Sequence, residues 1–487
     1  MVMADGARAD IFEALLAAGE LPNIEHHIVA RGSSRRAASV FASTTGPAHV
    51  PFVTGLWPGS ADIPGIRWFD RRRYRPGIGG VALAMRSYCG AQARLIDRDL
   101  TPAARTLFEL CDNPLSVFGF VTRGVHGRSR IGATRKLWLW PQSRRSGHYD
   151  QADAWAMRAV ERIARRDSEL IFVMFAGIDG HSHHAGPDDE RALASYRTVD
   201  DSVGRIAAAL KRRGTYDDTM LVICSDHGHA LVHTHLDIAI HLERHHQLRV
   251  AYHMGKTLTR RPEAVACVSG NGMAHLYFRA GDWARTPTRD DIERCHPGML
   301  AQLLGEPAIE IVVSRGGGGA LIVESRRGRA ELSETATGVR YRPLGPDPFG
   351  FGPLPAEMTF EEALGITFES EYPDALVQIA QLARSPRCGD VLLSASPGFD
   401  LRERYESREH RSGHGALQRL HMQVPLAVSV PLAEGPMRTA DVYPTVLRFL
   451  GRDCPAGVDG VDRSRASRTS GEGPADSDRN GHSGGPR

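Results

Sequence analysis

Aspartate and histidine recur just past short apolar runs in this chain, and together they offer what a divalent cation binds. Within Thr219 to Gly228, the run Met220 to Cys224 reads as a buried strand of a parallel sheet. It ends in Ser225-Asp226-His227-Gly228. Ligands of open α/β sheets sit beyond such strand ends. A second run, Leu170 to Phe175, leads to Asp179 and His183, with His181 and His184 as competing ligands. A spacing of four lets one turn aim both side chains at one ion. Near the N-terminus Val2 to Ala4 delivers Asp5, and late in the chain His414 stands between Gly413 and Gly415, where the backbone can come close to a site. Asp gives a hard oxygen and His a neutral nitrogen, the mixture that zinc or manganese accepts. A polar turn after a strand is the plain alternative for any one stretch. The repetition of one design points to a shared site.

One hydroxyl-rich turn has a different character. Ser43-Thr44-Thr45-Gly46-Pro47-Ala48-His49 lies between the apolar runs Ala38 to Phe41 and Val50 to Leu56, which reads as strand, turn and helix start. Free N–H groups at a helix start favour an anion, and Gly46 lets the backbone approach it. A threonine there serves either as a helix cap or as a nucleophile. Six candidate ligands, Asp5, Asp179, His183, Asp226, His227 and His414, divide into two ions with three protein ligands each, leaving open positions for substrate oxygen and water. Two such ions clamp the attacking and leaving oxygens of an in-line displacement. An ion also lowers the pKa of a coordinated hydroxyl, making Thr45 usable as a nucleophile.

The elements that must position these groups alternate in type. Helices are predicted over Ile11 to Ala18, Asp150 to Ala164 and Glu190 to Arg213, and strands over Val117 to Val121 and Val424 to Val430. From Ala264 the pattern turns antiparallel: Val265 to Ser269 and Ala274 to Phe278 flank Gly270-Asn271-Gly272, a hairpin signal. Ile309 to Ser314 and Ala320 to Glu324 flank a four-glycine turn at 316–319, read as a loose hairpin rather than a phosphate cradle. Asp390 to Ser394 is read as the return to the parallel core, and Thr439 as the cap of a last helix. The arginines at 67, 71, 72, 73 and 75, among Trp68, Phe69 and Tyr74, read as a solvated loop edge or as a rim for a phosphate. The crowded histidines from His233 to His253 read as surface residues. Residues 463–487 hold almost nothing apolar and read as a disordered tail.

The chain of 487 residues is 41% hydrophobic and 24% charged, as in a soluble globular protein. Its net charge of +3 is too small to argue for nucleic acid binding. Seven scattered cysteines without a CxxC pair point to a reducing compartment. No apolar run is long enough to span a membrane, and no signal peptide is written in the sequence given, so the expected location is cytoplasmic. Val2 to Ala4 is short for a central strand, which leaves room for a start further upstream.

In order along the chain, Asp5-Gly6-x-Arg8, Thr45-Gly46-Pro47-Ala48-His49 with Thr54-Gly55-Leu56-Trp57-Pro58-Gly59, Asp179-x3-His183-x2-Gly186-Pro187, Ser225-Asp226-His227-Gly228, Gly413-His414-Gly415 and Asp441-x2-Pro444-Thr445 form a set. That ordered set resembles the alkaline phosphatase superfamily and, within it, the type I phosphodiesterase/nucleotide pyrophosphatase family. The resemblance implies an α/β fold, a mostly parallel sheet sandwiched by helices, with an inserted α+β cap containing antiparallel strands. It places a catalytic core at 1–235 and 390–462 and the insertion at 236–389. It implies hydrolysis of a small phosphate ester or nucleotide-like substrate with two zinc ions. Asp5, Asp226 and His227 would hold one ion, with Thr45 touching it as nucleophile; Asp179, His183 and His414 would hold the other. A phosphothreonine would form and then be hydrolysed by water on the second zinc. Ile66 stands where the family has an Asn that helps hold the phosphoryl oxygen, and Ser182 where Gly is usual. A phosphomonoesterase or phosphoglycerate-mutase-like member, or an inactive homologue that keeps the metal frame, are the alternatives. A sulfatase lacks support because no Cys-x-Pro-x-Arg or Ser-x-Pro-x-Arg segment occupies the nucleophile position.

Overall fold

A computed structural model describes residues 1–133, 147–253, 256–402 and 410–465. Its centre is an eight-stranded sheet in the order Met437–Arg438, Ser33–Ala38, Gln423–Val428, Val222–Cys224, Val2–Ala4, Ile171–Phe175, Leu115–Val117, Arg130–Ile131. Only Gln423–Val428 runs antiparallel to its neighbours; the remaining pairings are parallel. The three-residue strand Val2–Ala4 is short, yet it sits mid-sheet between Ile171–Phe175 and Val222–Cys224. Val2, Met3 and Ala4 are all buried, which is why so short a segment holds its place: each fully buried aliphatic side chain is worth about 1.5–3 kcal/mol. The register sets Ala4 level with Phe175 and Met3 level with Cys224, so three parallel strands end along one edge.

Helices Ala9–Ala17, Asp150–Ile163, Glu190–Arg213 and Val442–Phe449 cover this sheet. The long Glu190–Arg213 helix matches its predicted range; Asp189 caps its start, and Gly214, at φ 77°, ends it in the left-handed conformation that glycine tolerates. The tyrosine hydroxyl of Tyr196 accepts from the Arg8 amide at 2.8 Å, tying this helix to the loop after Val2–Ala4.

A second sheet has nine strands, from Val250–Tyr252 to Glu357–Thr359, nearly all antiparallel. Both expected hairpins are present in it, Ala264–Ser269 with Met273–Phe278 and Ile309–Arg315 with Leu321–Ser325. Strand Val391–Ala395 corrects one expectation. It does not return to the parallel sheet but pairs with Met273–Phe278 and Ile309–Arg315 in the middle of the second sheet. A continuous apolar run marks any strand buried on both faces, so composition alone does not say which sheet it joins.

The Arg-rich segment is a solvated edge only in part: Arg72 and Arg75 are exposed, but Arg67, Arg71 and the aromatic residues are buried. Trp68 and Phe69 are fully buried, Arg67 donates to the Val268 carbonyl at 3.0 Å, and Arg71 pairs with buried Asp390. These arginines lock the segment against the second sheet. The last helix, Val442–Phe449, also starts differently from expectation: a short turn at Thr439–Asp441 precedes it, where Asp441 Oδ2 accepts from the Arg438 amide at 3.0 Å, and Thr439 is not its cap. Strand Ser33–Ala38 lies upstream of the run Ala38 to Phe41; its Arg35 and Arg36 are half-buried, and Arg36 pairs with Glu13. His241, in the histidine-rich stretch, is buried rather than on the surface. Arg463, the first residue of the expected tail, is tied to Asp441 and Glu361; 466–487 lie outside the described residues.

Fully buried His275, in Met273–Phe278, donates from Nε2 to the Pro64 carbonyl at 3.1 Å and accepts at Nδ1 from the Gly389 amide at 3.2 Å. Burial pushes its pKa down to about 4, against the pull of the Pro64 carbonyl. The folded state therefore refuses a proton that the unfolded chain takes up near pH 6.5. Stability is complete above that pH and falls as pH drops toward 4, by roughly 3 kcal/mol from this ring. Urea melts of His275→Gln are expected to lose correspondingly less stability than wild type between pH 7 and pH 4. Equal losses in the two proteins would show that His275 is not the buried proton acceptor described here.

Candidate metal centre

Three adjacent strand ends build one side of the site. Asp5 follows Val2–Ala4, and its amide donates to the Phe175 carbonyl at 3.0 Å. Asp226 and His227 follow Val222–Cys224, and Asp226 Oδ1 accepts from the Gly6 amide at 3.2 Å. After Ile171–Phe175 the chain enters helix Gly177–Ala185, which carries Asp179 and His183 one turn apart. Asp153 anchors that helix: its two carboxylate oxygens accept from the Ala176 and Gly177 amides at 2.9 and 3.0 Å. Burial lifts the Asp153 carboxyl to about 7, opposed by those two amides. His414 arrives from the other side, after the short strand Ser412–Gly413.

The ligand-type atoms fall into two groups. Asp5, Asp226 and His227 form one, and Asp179, His183, His229 and His414 the other, with the atoms of each group within 4.8 Å of one another. His227 Nε2 lies 3.6 Å from Asp5 Oδ1 and 3.5 Å from Asp226 Oδ2. It is also 4.0 Å from Asp179 Oδ1, so the groups adjoin. Thr45 Oγ1 sits 3.3 Å from Asp5 Oδ1 and 3.2 Å from His227 Nε2. From 41 to 50, Thr45 is the one residue that is not buried. Gly46 makes the turn at φ 109°, and a Cβ there would press on Phe120 at 3.3 Å. All seven residues singled out from the sequence thus come together. His181 and His184 do not join them; their rings lie against Tyr149.

Two histidines were given no role in the sequence reading. His229, two residues after His227, belongs to the second group, its Nε2 3.0 Å from Asp179 Oδ1. His49 places Nε2 3.2 Å from Asp226 Oδ2. The available signals were local: alternation along an extended segment after His227, and one short helical turn after Thr45.

The hydrogen bonds fix which ring nitrogens carry protons. Nδ1 of His183, His414 and His227 faces the carbonyls of Ser412, Ser43 and Gly228 at 2.9, 3.0 and 3.2 Å. A carbonyl only accepts, so each Nδ1 is the donor and each Nε2 is left with a lone pair. Those lone pairs converge on carboxylates without a proton between them. A divalent cation resolves that repulsion, and rings oriented by outer hydrogen bonds are the usual support of one. The donor set therefore fits two cations of the zinc or manganese type.

Burial alone would raise the Asp226 carboxyl, but His227 and His49 outweigh it and hold it at about 2. Asp179 is likewise held well below the carboxylate range, His183 and His229 overcoming its burial. Burial lowers His229 to about 4, the bond to Asp179 opposing. His414 is driven well down by burial and by its neighbours His227, His183 and His229. Ionised carboxylates at Asp226 and Asp179 and neutral rings at His229 and His414 are the protonation states that bind metal.

Asp153→Ala strands two amides at the start of the helix that carries Asp179 and His183. A loss of about 2–3 kcal/mol is expected in urea melts, because bonds to a carboxylate of this kind are worth roughly that much. Unchanged melts would show that the helix start is held by other contacts.

The type I phosphodiesterase/nucleotide pyrophosphatase family model matches residues 1–78 and 119–316, which include Asp5, Thr45, Asp179, His183, Asp226, His227 and His229 but not His414. Among solved structures, murine ectonucleotide pyrophosphatase/phosphodiesterase 5 is similar in fold, at 14% identity and a TM-score of 0.53, over 93% of this chain and 95% of that one. An inactive threonine-to-alanine variant of that mouse protein is known in complex with AMP. Phosphonoacetate hydrolase from Sinorhizobium meliloti 1021, in complex with phosphonoacetate, is similar at 17% identity and a TM-score of 0.54, over 92% of this chain and 94% of that one. A curated relative, GPI ethanolamine phosphate transferase 2 of Aspergillus fumigatus, is 31% identical over 81 residues, 16% of this chain, and the match spans only 11% of that protein's length. No helix among the described residues is long and apolar enough to cross a membrane. On the family match, the chain belongs to the type I phosphodiesterase/nucleotide pyrophosphatase family of phosphoric ester hydrolases.

Proposed function

We propose that this chain is a phosphodiesterase or nucleotide pyrophosphatase that uses Thr45 as nucleophile and two divalent ions, zinc by preference. The observation that carries the reading is the position of Thr45 Oγ1, half-buried in an otherwise buried turn and within 3.3 Å of both Asp5 Oδ1 and His227 Nε2. Asp5, Asp226 and His227 would hold one ion, and Asp179, His183 and His414 the other. The ions supply positive charge that favours an ionised hydroxyl and a developing phosphoryl charge.

The residues of the chain do the rest. The Thr45 hydrogen points to Asp5 Oδ1, which leaves oxygen lone pairs free to attack phosphorus. Attack forms the Thr45 O–P bond and breaks the bond to the leaving oxygen, and water then cleaves the phosphothreonine. His49 Nε2 stands 3.2 Å from Asp226 Oδ2. The threonine replaced in the inactive mouse variant is taken as the counterpart of Thr45.

Ile66 and Phe120 both lie against Gly46, next to the nucleophile. An apolar wall there suits the organic substituent of a diester better than a free, charged phosphate oxygen, whose desolvation is costly. That favours diester over monoester hydrolysis. The nine-stranded sheet and its loops would shape the choice of leaving group.

Bis-p-nitrophenyl phosphate is expected to be cleaved in preference to p-nitrophenyl phosphate. Thr45→Ala is expected to lower kcat by about 10³-fold or more, with mass spectrometry finding the trapped phosphoryl group on the Thr45 peptide of wild type. Ile66→Asn restores a donor and is expected to raise turnover, by up to about 10². Undiminished hydrolysis in Thr45→Ala would sink the reading.

A further inference from the structure

We infer that His229 is a fourth protein ligand of the second cation site, making that site Asp179, His183, His229 and His414. This deepens the reading above and rests on its two-ion premise. The family resemblance supplies only three of these ligands, and the fourth is a property of this chain's Asp226-His227-Gly228-His229 segment.

The geometry singles His229 out within its group. Its Nε2 is 3.0 Å from Asp179 Oδ1, nearer than His183 at 3.4 Å or His414 at 3.7 Å. Its ring centroid lies 4.7 Å from that of His183 and 5.1 Å from that of His414. The ring is fully buried. Gly6 packs closely against the pair, since a Cβ there would be 3.0 Å from His229 Nε2 and 2.8 Å from Asp179 Cα.

The orientation follows from Ser412. Its hydroxyl donates to the Ser182 carbonyl at 2.6 Å and so has no hydrogen left for His229. His229 Nδ1, 3.0 Å from the same Oγ, must be the donor. Nε2 then turns toward Asp179, as it does in His183 and His414. Ser412 organises the whole group: its carbonyl takes the His183 proton, its hydroxyl takes that of His229, and His414 follows two residues later.

The consequence is an asymmetric pair. Three protein ligands with a vacant position mark a reactive site, and four mark a closed one. Asp5, Asp226 and His227, beside Thr45, keep the open pattern, while the second site has its tetrahedron filled by protein. The expected division of labour is exchange with substrate at the Thr45 side and tight retention at the other. This differs from the expectation drawn from the resemblance, which puts the hydrolytic water at the second ion.

Two measurements test it. Calorimetric titration of the stripped protein with ZnCl2 is expected to show two equivalents in wild type and, in His229→Gly, one equivalent weakened by about 10²-fold and partly restored by added imidazole. Unchanged affinities in the variant would overturn the inference while leaving the two-ion reading standing; a wild-type protein that takes up no metal would overturn both. Because the variant could fail to fold, the second measurement uses wild type alone. Loaded with two equivalents of cobalt(II), it is expected to show four hyperfine-shifted exchangeable imidazole N–H resonances, from His183, His227, His229 and His414. Three such resonances would mean that His229 is a charged or neutral partner of Asp179 and not a ligand.

Discussion

Four imidazole nitrogens lie within 4.0 Å of one oxygen, Asp179 Oδ1: those of His229, His183, His414 and His227. That crowding is the constraint around which the molecule is arranged. A single protonated ring would neutralise the carboxylate, but four would repel one another in so small a space. The solution is to give each ring's Nδ1 proton to an oxygen on the far side. Those oxygens belong to Ser412, Ser43 and Gly228, so three separate backbone segments must be held to within a hydrogen bond of their rings. The parallel strands fix one of the segments, and the pairing of Ser412–Gly413 with Ala230–His235 fixes another.

The same logic explains the polar groups buried further out. Asp153 does nothing at the metal centre itself, yet it fixes the start of the helix that aims Asp179 and His183. Gln378 and Gln381 grip the backbone of Phe41 on the approach to the Thr45 turn; Asp374 accepts from Gln378, and Arg438 pairs with Asp374. Buried amides and carboxylates of this kind are costly unless every partner is present. They specify one position for each strand end where apolar packing alone would accept several.

The sequence made much of this legible, for a reason tied to particular residues. Asp5, Asp179, Asp226 and His227 follow strands or helix starts whose apolar runs are plain, and the topology of parallel strands carries them to one edge. Thr45 and His414 were readable because glycines beside them mark close backbone approach. His229 and His49 were not, since each is an isolated histidine without a run of its own, and only the folded register shows which way it faces. The Arg67 to Arg75 segment misled at its buried residues for a complementary reason. Arginine reads as exposed, and the partner that buries Arg71 is Asp390, more than three hundred positions away. Strand Val391–Ala395 misled likewise, because its neighbours in the sheet are decided by pairing and not by composition.

The hairpin tip Gly270-Asn271-Gly272 belongs to the second sheet but touches the metal centre. The amide of Gly272 donates to the His414 carbonyl at 2.8 Å, and the His414 amide donates to the Gly270 carbonyl at 3.2 Å. A methyl group on Gly270 would stand 2.8 Å from His414 Nδ1 and 2.9 Å from Thr44 Cβ. The seam between the two sheets therefore runs past the candidate metal centre. In evolution or in the laboratory, a chimera that exchanged one sheet for a relative's would have to inherit this tripeptide with it, and lineages that diversify the outer strands are free to do so only beyond that point.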